Sequence, residues 1–254
     1  MRKARFIAEG RYHEGHLAEP GVLVDESGAP HKEDEVTFLP PVTPPKIIGL
    51  ALNFADHAAE LDMKTPEDPA LFFKPATSLN GHRAPVVYPV GAQYMHYEVE
   101  LAAVIGRRAR NVRASSALDC VKGYTIANDV TIRDFVKDFY RPPVKAKCWD
   151  TFTPMGPYLV DAADLDPGNL ELSAYVNDEL RQSGNTNQLI RSTEELIEHI
   201  TEFMTLEEND VILTGTPKGV SHVHPGDVMR LEIEGIGSLV NRVVGPEDPE
   251  GGAA

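Results

Sequence analysis

Three acidic residues in two apolar segments are the clearest candidates for chemistry in this 254-residue chain. Glu98 and Glu100 lie just before an apolar run, and Asp129 follows a second apolar segment. Successive side chains of a β-strand point to opposite faces, so this spacing places both glutamates on one face. From the pattern alone, the pair is also explained as two solvated acids on an edge strand.

The apolar residues around the three acids favour a buried cluster. Carboxylates a few ångströms apart cannot all stay ionised without a cation or a proton. A set of carboxylate ligands without histidine or cysteine suits a hard cation, Mg²⁺ or Mn²⁺, with Ca²⁺ as a further option. We therefore predict a metal site at Glu98, Glu100 and Asp129, with open positions for the carboxylate and keto oxygens of an α-keto acid.

A histidine and a glutamate three residues apart form a second pattern. His57 and Glu60 would share one face of a helix. A His–carboxylate pair is suited to general acid–base chemistry near neutral pH. Taken alone, however, the two residues indicate a surface pair beside an N-cap at Asn53 or Asp56.

A glycine-rich segment, Gly-Thr-Pro-Lys-Gly at residues 215–219, follows an apolar run near the end of the chain. It is explained either by a simple turn or by a loop that binds a carboxylate. In the second case, the Thr216 hydroxyl and free backbone N–H groups would bind the anion.

The elements that must position these residues are mostly short apolar segments separated by glycine and proline, which predict a chain dominated by β-strands. Residues 170–184 predict a hairpin with an Asn-Asp turn. One clear helix is predicted over about residues 192–204, with Ser192 or Thr193 as its N-cap.

Composition divides the chain into three parts. Residues 1–44 are predicted to form a small N-terminal β domain with a proline-rich linker, because the prolines between 40 and 45 exclude a helix or a central strand. Residues 45–245 form the main domain. The tail, residues 246–254, is expected to be disordered.

The charge and the cysteine content exclude several classes of protein. A net charge of −15 makes a nucleic acid or an anionic membrane surface a poor partner. Two cysteines without CxxC spacing argue against a cysteine-based zinc or disulfide framework and fit a reducing compartment. No segment approaches the ~20 apolar residues of a membrane span. We expect a soluble cytoplasmic protein.

Several motifs, in a fixed order, resemble those of the fumarylacetoacetate hydrolase family over roughly residues 45–245. They are GLALNFADHAAEL, FFKPATSLNG, YMHYEVELAAVIGRRARNV, GYTIANDVTIRDF, KCWDTFTPMGP and LTGTPKGV. The resemblance implies a β-rich α+β fold, a mixed β-sandwich roll preceded by a small N-terminal β domain. It also implies that Glu98, Glu100 and Asp129 bind the divalent metal.

The same resemblance assigns roles to the remaining candidates. It implies that His57 and Glu60 form a proton-transferring dyad on a mobile lid. Lys147 would point into the site and bind an enolate or carboxylate oxygen, although Lys145 would share its face of a strand. Thr216 and, more weakly, Lys74 would bind the substrate, with Lys74 at its far end.

Within the family, the segments YMHYEVEL, FYRPPVKAK, TEFMTLEENDVI and GIGSLVNRVV are similar to enzymes that isomerise or decarboxylate 2-hydroxy-diene and 2-oxo-ene dicarboxylates in homoprotocatechuate catabolism. Acylpyruvase members often have Arg where this chain has Leu52, which favours the isomerase branch. The alternatives are a fumarylpyruvate or acylpyruvate hydrolase, an oxaloacetate decarboxylase, and a catalytically inactive binding module. The resemblance also implies a homodimer or a pair with a homologous subunit.

Overall fold

A computed structural model describes residues 1–56, 68–136 and 142–247 of the chain. Within these residues there are twenty strands. The first ten are β1 (Arg2–Ala8), β2 (Arg11–Glu19), β3 (Val22–Asp25), β4 (Pro30–Lys32), β5 (Thr37–Leu39), β6 (Ile47–Ala51), β7 (Ala70–Lys74), β8 (Leu79–Asn80), β9 (Val86–Val87) and β10 (Met95–His96). The others are β11 (Val99–Ile105), β12 (Val121–Asn128), β13 (Thr131–Ile132), β14 (Thr153–Asp161), β15 (Glu171–Val176), β16 (Glu179–Asn185), β17 (Val211–Leu213), β18 (His222–Val223), β19 (Val228–Ile233) and β20 (Gly237–Val244).

The strands form three sheets. The largest has twelve strands in the order β4-β3-β2-β1-β14-β12-β11-β17-β6-β7, with β5 paired to β1 and β8 paired to β14. A five-stranded sheet has the order β16-β15-β19-β20-β9, and a small sheet has the order β13-β10-β18. Most pairs are antiparallel, but β17 with β6, β14 with β8 and β20 with β9 are parallel. The predicted β-rich chain with a mixed sheet is therefore confirmed.

The predicted hairpin and helix are both present. Strands β15 and β16 are joined by Asn177 and Asp178, with φ angles of 51° and 64° that match a type I′ turn. Two α-helices lie wholly within the described residues, the short α1 (Val144–Lys147) and α2 (Thr193–Phe203). Helix α2 begins after Ser192, whose side chain forms a capping box with Glu195.

Strand β11 is buried on both faces because apolar layers cover it from two sides. Its odd-numbered residues, from Val99 to Ile105, belong to the largest hydrophobic cluster, which also contains residues of the five-stranded sheet and of α2. Its even-numbered residues Ala102 and Val104 belong to a second cluster beside β17 and β14. The face that carries Glu98 and Glu100 is thus an interior face.

The N-terminal strands are continuous with the large sheet. Residues Arg2 and Lys3 of β1 pair with Val160 and Leu159 of β14. A separate hydrophobic cluster around Phe6 joins side chains of this segment to Tyr158 of β14. The division into domains at residue 44 stays a prediction, and residues 248–254 of the predicted disordered tail lie outside the described residues. No helix in the described part of the chain is long and apolar enough to cross a membrane.

Candidate metal centre

The three predicted acidic residues come together at the ends of two paired strands. Glu98 directly precedes β11, and Asp129 directly follows β12. The antiparallel register places Val99 opposite Asn128, and the Asp129 N–H donates to the Glu98 carbonyl at 3.0 Å. One carboxylate oxygen from each of Glu98, Glu100 and Asp129 lies within 4.8 Å of the others, and all three residues are buried. Alternation along one strand and pairing with the next therefore produce the cluster.

Two lysines lie against the carboxylates. The Lys147 ammonium donates to Glu98 Oε2 at 3.0 Å, to Asp129 Oδ2 at 2.5 Å and to Thr131 Oγ1 at 2.8 Å. The Lys74 ammonium donates to Asp129 Oδ1 at 2.5 Å and to the Phe152 carbonyl at 2.9 Å. Because an ammonium has three N–H groups, protein atoms engage all of those of Lys147.

The surroundings of Lys147 and Lys74 differ from those predicted. Lys145 and Lys147 lie on helix α1 and not on a strand, so they do not share a face. Lys147 is buried at the carboxylates, whereas Lys145 is exposed with its ammonium over the Phe135 ring. Lys74, expected at the far end of a substrate, lies instead beside Asp129, because β7 directs its side chain inward.

Burial and mutual repulsion change the pKa values in this cluster. Burial, followed by the charges of Asp129 and Glu98, raises the pKa of the Glu100 carboxyl well above its usual value. Burial also acts to lower the pKa of Lys147, but the charges of Asp129 and Glu98 outweigh it and the net shift is upward. For Lys74, burial dominates and lowers the pKa. The cluster thus contains more carboxylates than ammonium groups in a dehydrated space.

The glycine-rich loop after β17 contributes a backbone donor. The Gly215 N–H donates to Glu100 Oε2 at 2.6 Å. Gly215 has φ +102°, and a Cβ there would lie 2.9 Å from the Cβ of Asn53. The Thr216 hydroxyl accepts a hydrogen bond from Gln182 Nε2 at 2.8 Å, and Gln182 Oε1 accepts from the Val99 N–H at 3.1 Å. The loop is therefore attached both to the carboxylate cluster and to the start of β11.

His96 also lies at the site, which the predicted set of three carboxylates did not include. Its side chain is 1% exposed, and Nδ1 lies 3.5 Å from Glu98 Oε1. Burial lowers the pKa of His96 to about 4, so the ring is neutral at pH 7. Its Nε2 is buried and has no hydrogen-bond partner among the described residues. Strand alternation could have predicted this position of His96, because alternate residues 96, 98 and 100 lie on one face.

The His57–Glu60 pair lies outside the described residues, so its role stays a prediction. The chain just before it is fixed by Asn53, whose side chain donates to the carbonyls of Arg191 and Thr214 at 2.9 and 2.8 Å. Asn53 Oδ1 also accepts from the Arg191 N–H at 2.9 Å. These bonds attach the start of the segment that contains His57 to the glycine-rich loop and to the residues before α2.

The donor set fits a hard divalent cation. Three carboxylates supply oxygen ligands, and the raised pKa of Glu100 indicates negative charge that the two lysines do not balance. A divalent cation between these oxygens would favour the ionised form of Glu100. The site thus has the ligand chemistry and the burial that such an ion requires.

The chain is similar to known proteins in sequence and in fold. A family model described as "Fumarylacetoacetate (FAA) hydrolase C-terminal" matches residues 46–244. The 4-hydroxyphenylacetate degradation bifunctional isomerase/decarboxylase of Escherichia coli is 49% identical over 202 residues, which cover 79% of this chain and 47% of that protein. The chain spans about half the length of this relative and of two others with similar names.

Among the similar solved structures, two cover nearly the whole chain and have informative names. The 2-hydroxyhepta-2,4-diene-1,7-dioate isomerase from Mycobacterium marinum has a TM-score of 0.86 and 35% identity, covering 97% of this chain and 99% of that one. Maleylpyruvate hydrolase from Sphingobium sp. SYK-6, solved with manganese(II) and pyruvate, has a TM-score of 0.83 and 29% identity, covering 96% and 99%. The expected fold is therefore confirmed.

Proposed function

Because the chain belongs to the fumarylacetoacetate hydrolase family, we propose that it is a divalent-metal-dependent isomerase of 2-hydroxy-diene and 2-oxo-ene dicarboxylates, with decarboxylation as an associated activity. The buried cluster of Glu98, Glu100 and Asp129 with Lys147 carries the proposal. The names of the relatives in Escherichia coli and Mycobacterium marinum support the substrate class and a place in 4-hydroxyphenylacetate catabolism.

Glu98, Glu100 and Asp129 would hold the cation, for which we propose Mg²⁺, with Mn²⁺ or Ca²⁺ as substitutes. When bound, a divalent cation supplies Lewis-acid stabilisation of negative charge on a substrate oxygen. The chain's own contribution is to hold the three carboxylates in one orientation, through the Gly215 N–H at Glu100 and the Lys147 ammonium at the other two acids.

The lysines offset part of the negative charge of the acids and orient them. Lys147 uses its three N–H groups on Glu98, Asp129 and Thr131, so we propose that it positions the ligands and does not itself contact the substrate. Lys74 donates to Asp129 and to a carbonyl, which leaves one N–H for a substrate oxygen. Thr216 accepts a bond from Gln182, which leaves its O–H free to donate to a substrate oxygen.

The proposed isomerisation moves one proton along the substrate. The C2 hydroxyl of the 2-hydroxy-2,4-diene loses a proton, and C5 gains one, giving the 2-oxo-3-ene. His57 and Glu60 are proposed to transfer the proton at C5, because a His–carboxylate pair can both give and accept protons near neutral pH. The bonds of Asn53 described above support a fixed start to the segment that contains them.

Removal of one ligand tests the proposal. The substitution Asp129→Asn should abolish Mg²⁺ binding measured by calorimetry and lower kcat by at least about 100- to 1,000-fold. The matched control is Asp178→Asn, because that side chain is 93% exposed in a hairpin turn and Asn tolerates positive φ. Full turnover by the EDTA-treated wild-type protein would contradict the metal requirement.

A C–C bond hydrolase acting on fumarylpyruvate or acylpyruvates is the second candidate, supported by the likeness to maleylpyruvate hydrolase. A panel with Mg²⁺ separates the two: 2-hydroxyhepta-2,4-diene-1,7-dioate, fumarylpyruvate, acetylpyruvate and oxaloacetate. The highest kcat/KM is expected with the diene-dioate. Its turnover is measured from the loss of diene absorbance. Preferential release of pyruvate from fumarylpyruvate would favour the hydrolase, and preferential loss of CO₂ from oxaloacetate would favour the decarboxylase.

The length and the named roles of the relatives also bear on assembly and location. We propose a homodimer, or a pair with a homologous subunit, because the bifunctional relatives are about twice as long as this chain. Light scattering coupled to size exclusion would measure the mass of the assembly. A cytoplasmic location is proposed from the metabolic roles of the named relatives, and fractionation of the cells would test it.

A further inference from the structure

A second group of potential metal ligands lies in the N-terminal strands. Oδ2 of Asp25 is 3.0 Å from Nδ1 of His13 and 3.0 Å from Nε2 of His31. The three ligand atoms lie within 4.8 Å of one another. The acids of the proposed catalytic centre lie on β11 and β12, whereas these three residues lie on β2, β3 and β4, at one edge of the large sheet.

Strand register brings the three side chains to one face. Gly15 pairs with Asp25, so His13, two residues earlier on β2, lies on the same face as Asp25. His31 on β4 pairs with Leu23, two residues before Asp25 on β3. At Gly15, an added Cβ would lie 2.4 Å from the Val24 carbonyl oxygen, so the strands approach each other here more closely than a side chain allows.

The carboxylate of Asp25 is oriented before any ion binds. Its Oδ1 accepts from the Ser27 N–H at 2.9 Å, the Ser27 hydroxyl at 2.6 Å and the Ala29 N–H at 3.0 Å. These three bonds occupy Oδ1 and turn Oδ2 towards the two imidazoles. Such outer bonds to a ligating carboxylate are the usual support of a metal site.

The two imidazole rings pack against the aromatic ring of Phe6. The buried Phe6 ring stacks on His13 with centroids 5.4 Å apart and contacts the His31 ring edge-on at 5.2 Å. The histidine side chains are 22% and 17% exposed, and that of Asp25 is 6% exposed. The ligand atoms therefore lie in a half-buried position, with an apolar floor and access from solvent for water ligands.

We propose that His13, Asp25 and His31 form a binding site for Zn²⁺ that fastens the edge strand β4 to β3 and β2. Two imidazole nitrogens and one carboxylate oxygen form a ligand set that zinc proteins use, with water in the remaining position. Imidazole-rich sets prefer such ions, whereas the all-carboxylate centre prefers Mg²⁺ or Mn²⁺. The protein would thus hold two different ions at two separate sites.

The test measures Zn²⁺ binding under conditions that prevent Zn²⁺ from binding at Glu98, Glu100 and Asp129. Protein without a polyhistidine tag is treated with EDTA and titrated with Zn²⁺ by calorimetry in excess Mg²⁺. The titration is done on the wild type and on Asp129→Asn, and bound zinc is counted by elemental analysis. Both proteins are expected to bind one Zn²⁺ equivalent and to unfold at a higher temperature with Zn²⁺ than without it, since binding to the folded state stabilises it.

Replacement of either histidine should weaken this binding. His31→Gln and His13→Gln are each expected to lower the Zn²⁺ affinity by more than about 100-fold, because loss of groups that only orient a ligand already costs about 10- to 100-fold. The matched control is His16→Gln, on the opposite face of β2, which should bind Zn²⁺ as the wild type does. Two histidine variants are used so that a folding failure in one leaves the other informative.

The proposal is overturned if Asp129→Asn binds no Zn²⁺, in which case the cluster is only a hydrogen-bonded His–Asp–His group. It is also overturned if a folded His13→Gln or His31→Gln variant retains the wild-type affinity. Neither outcome depends on turnover, so the zinc site and the proposed catalytic function can fail separately.

Discussion

Glu100 and Lys147 face the same buried centre and have pKa values raised for opposite reasons. Burial and, after it, the two neighbouring acids oppose the charge of Glu100, whereas the same acids favour the charge of Lys147. Glu100 accepts from a backbone N–H, while Glu98 and Asp129 accept from the Lys147 ammonium. A divalent cation would therefore benefit Glu100 most.

The substitution Lys147→Gln should impair both stability and catalysis. It leaves Glu98 and Asp129 buried with less compensating charge, and breaking a buried ion pair from one side costs about 3–5 kcal/mol. We expect a loss of that order in the free energy of unfolding of the metal-free protein, partly restored by Mg²⁺. Urea unfolding with and without Mg²⁺ measures it, and kcat should fall by about 100-fold or more.

The neighbouring lysine provides the control. Lys145→Gln changes the same residue type on the same short helix, but its side chain is exposed. Its effect on stability should stay within about 0.5 kcal/mol. If the two variants had equal effects, the placement of Lys147 at the carboxylates would have no energetic consequence, and its positioning role would be wrong.

At the scale of elements, the loop after β17 depends on a glycine. Gly215 has φ +102°, a conformation that other residues rarely adopt, and it packs against Asn53. The same residue places its N–H on Glu100. One backbone position thus connects the loop, the metal ligands and the start of the segment that contains His57.

Gly215→Ala should therefore strain the loop and displace its donor. A residue held in a sparsely populated φ/ψ region costs of order 1–3 kcal/mol, and the new Cβ would press on Asn53. We expect a loss of that size in the free energy of unfolding, together with weaker Mg²⁺ binding in calorimetry. Gly245→Ala is the matched control, because a Cβ there has nothing within 4 Å and the backbone is not strained. Unchanged Mg²⁺ affinity in Gly215→Ala would exclude a role for this N–H.

At the scale of the whole molecule, His82 connects the sheets. It is 8% exposed, its Nδ1 accepts from the Val240 N–H of β20 at 3.1 Å, and its ring packs edge-on against Phe38. Burial, with a smaller contribution from the charge of Arg83, lowers the pKa of His82 from 6.5 to about 4. The folded protein therefore holds this histidine neutral at pH values where the unfolded chain protonates it.

The sign of the pH effect follows from proton counting. Between about pH 6.5 and pH 4 the unfolded state binds more protons at this position, so stability falls as the pH falls through that window. Across this window the free energy of unfolding should fall by about 3 kcal/mol, which follows from the difference between the two pKa values. In His82→Asn this contribution is absent, so the stability of the wild type relative to the variant should decrease on acidification and stay constant above about pH 7.5. Urea unfolding across this range measures it, and parallel curves for the two proteins would contradict the assignment.

The sequence by itself determined the periodic features of this protein. Alternation placed Glu98 and Glu100 on one strand face, helical spacing and a capping residue located α2, and the Asn-Asp pair located the hairpin turn. These features depend on interactions between residues close in the chain, which local patterns record. The motif resemblance extended this knowledge to the family and its fold.

Only the tertiary structure decided which distant groups meet. It showed that Lys147, and not Lys145, contacts the carboxylates. It also showed that Lys74 lies beside Asp129 and that His96 lies beside Glu98. The group of His13, Asp25 and His31 has no local motif, because strand register between β2, β3 and β4 brings it together. Contacts across strands depend on register and on packing between layers, and a short stretch of sequence contains neither.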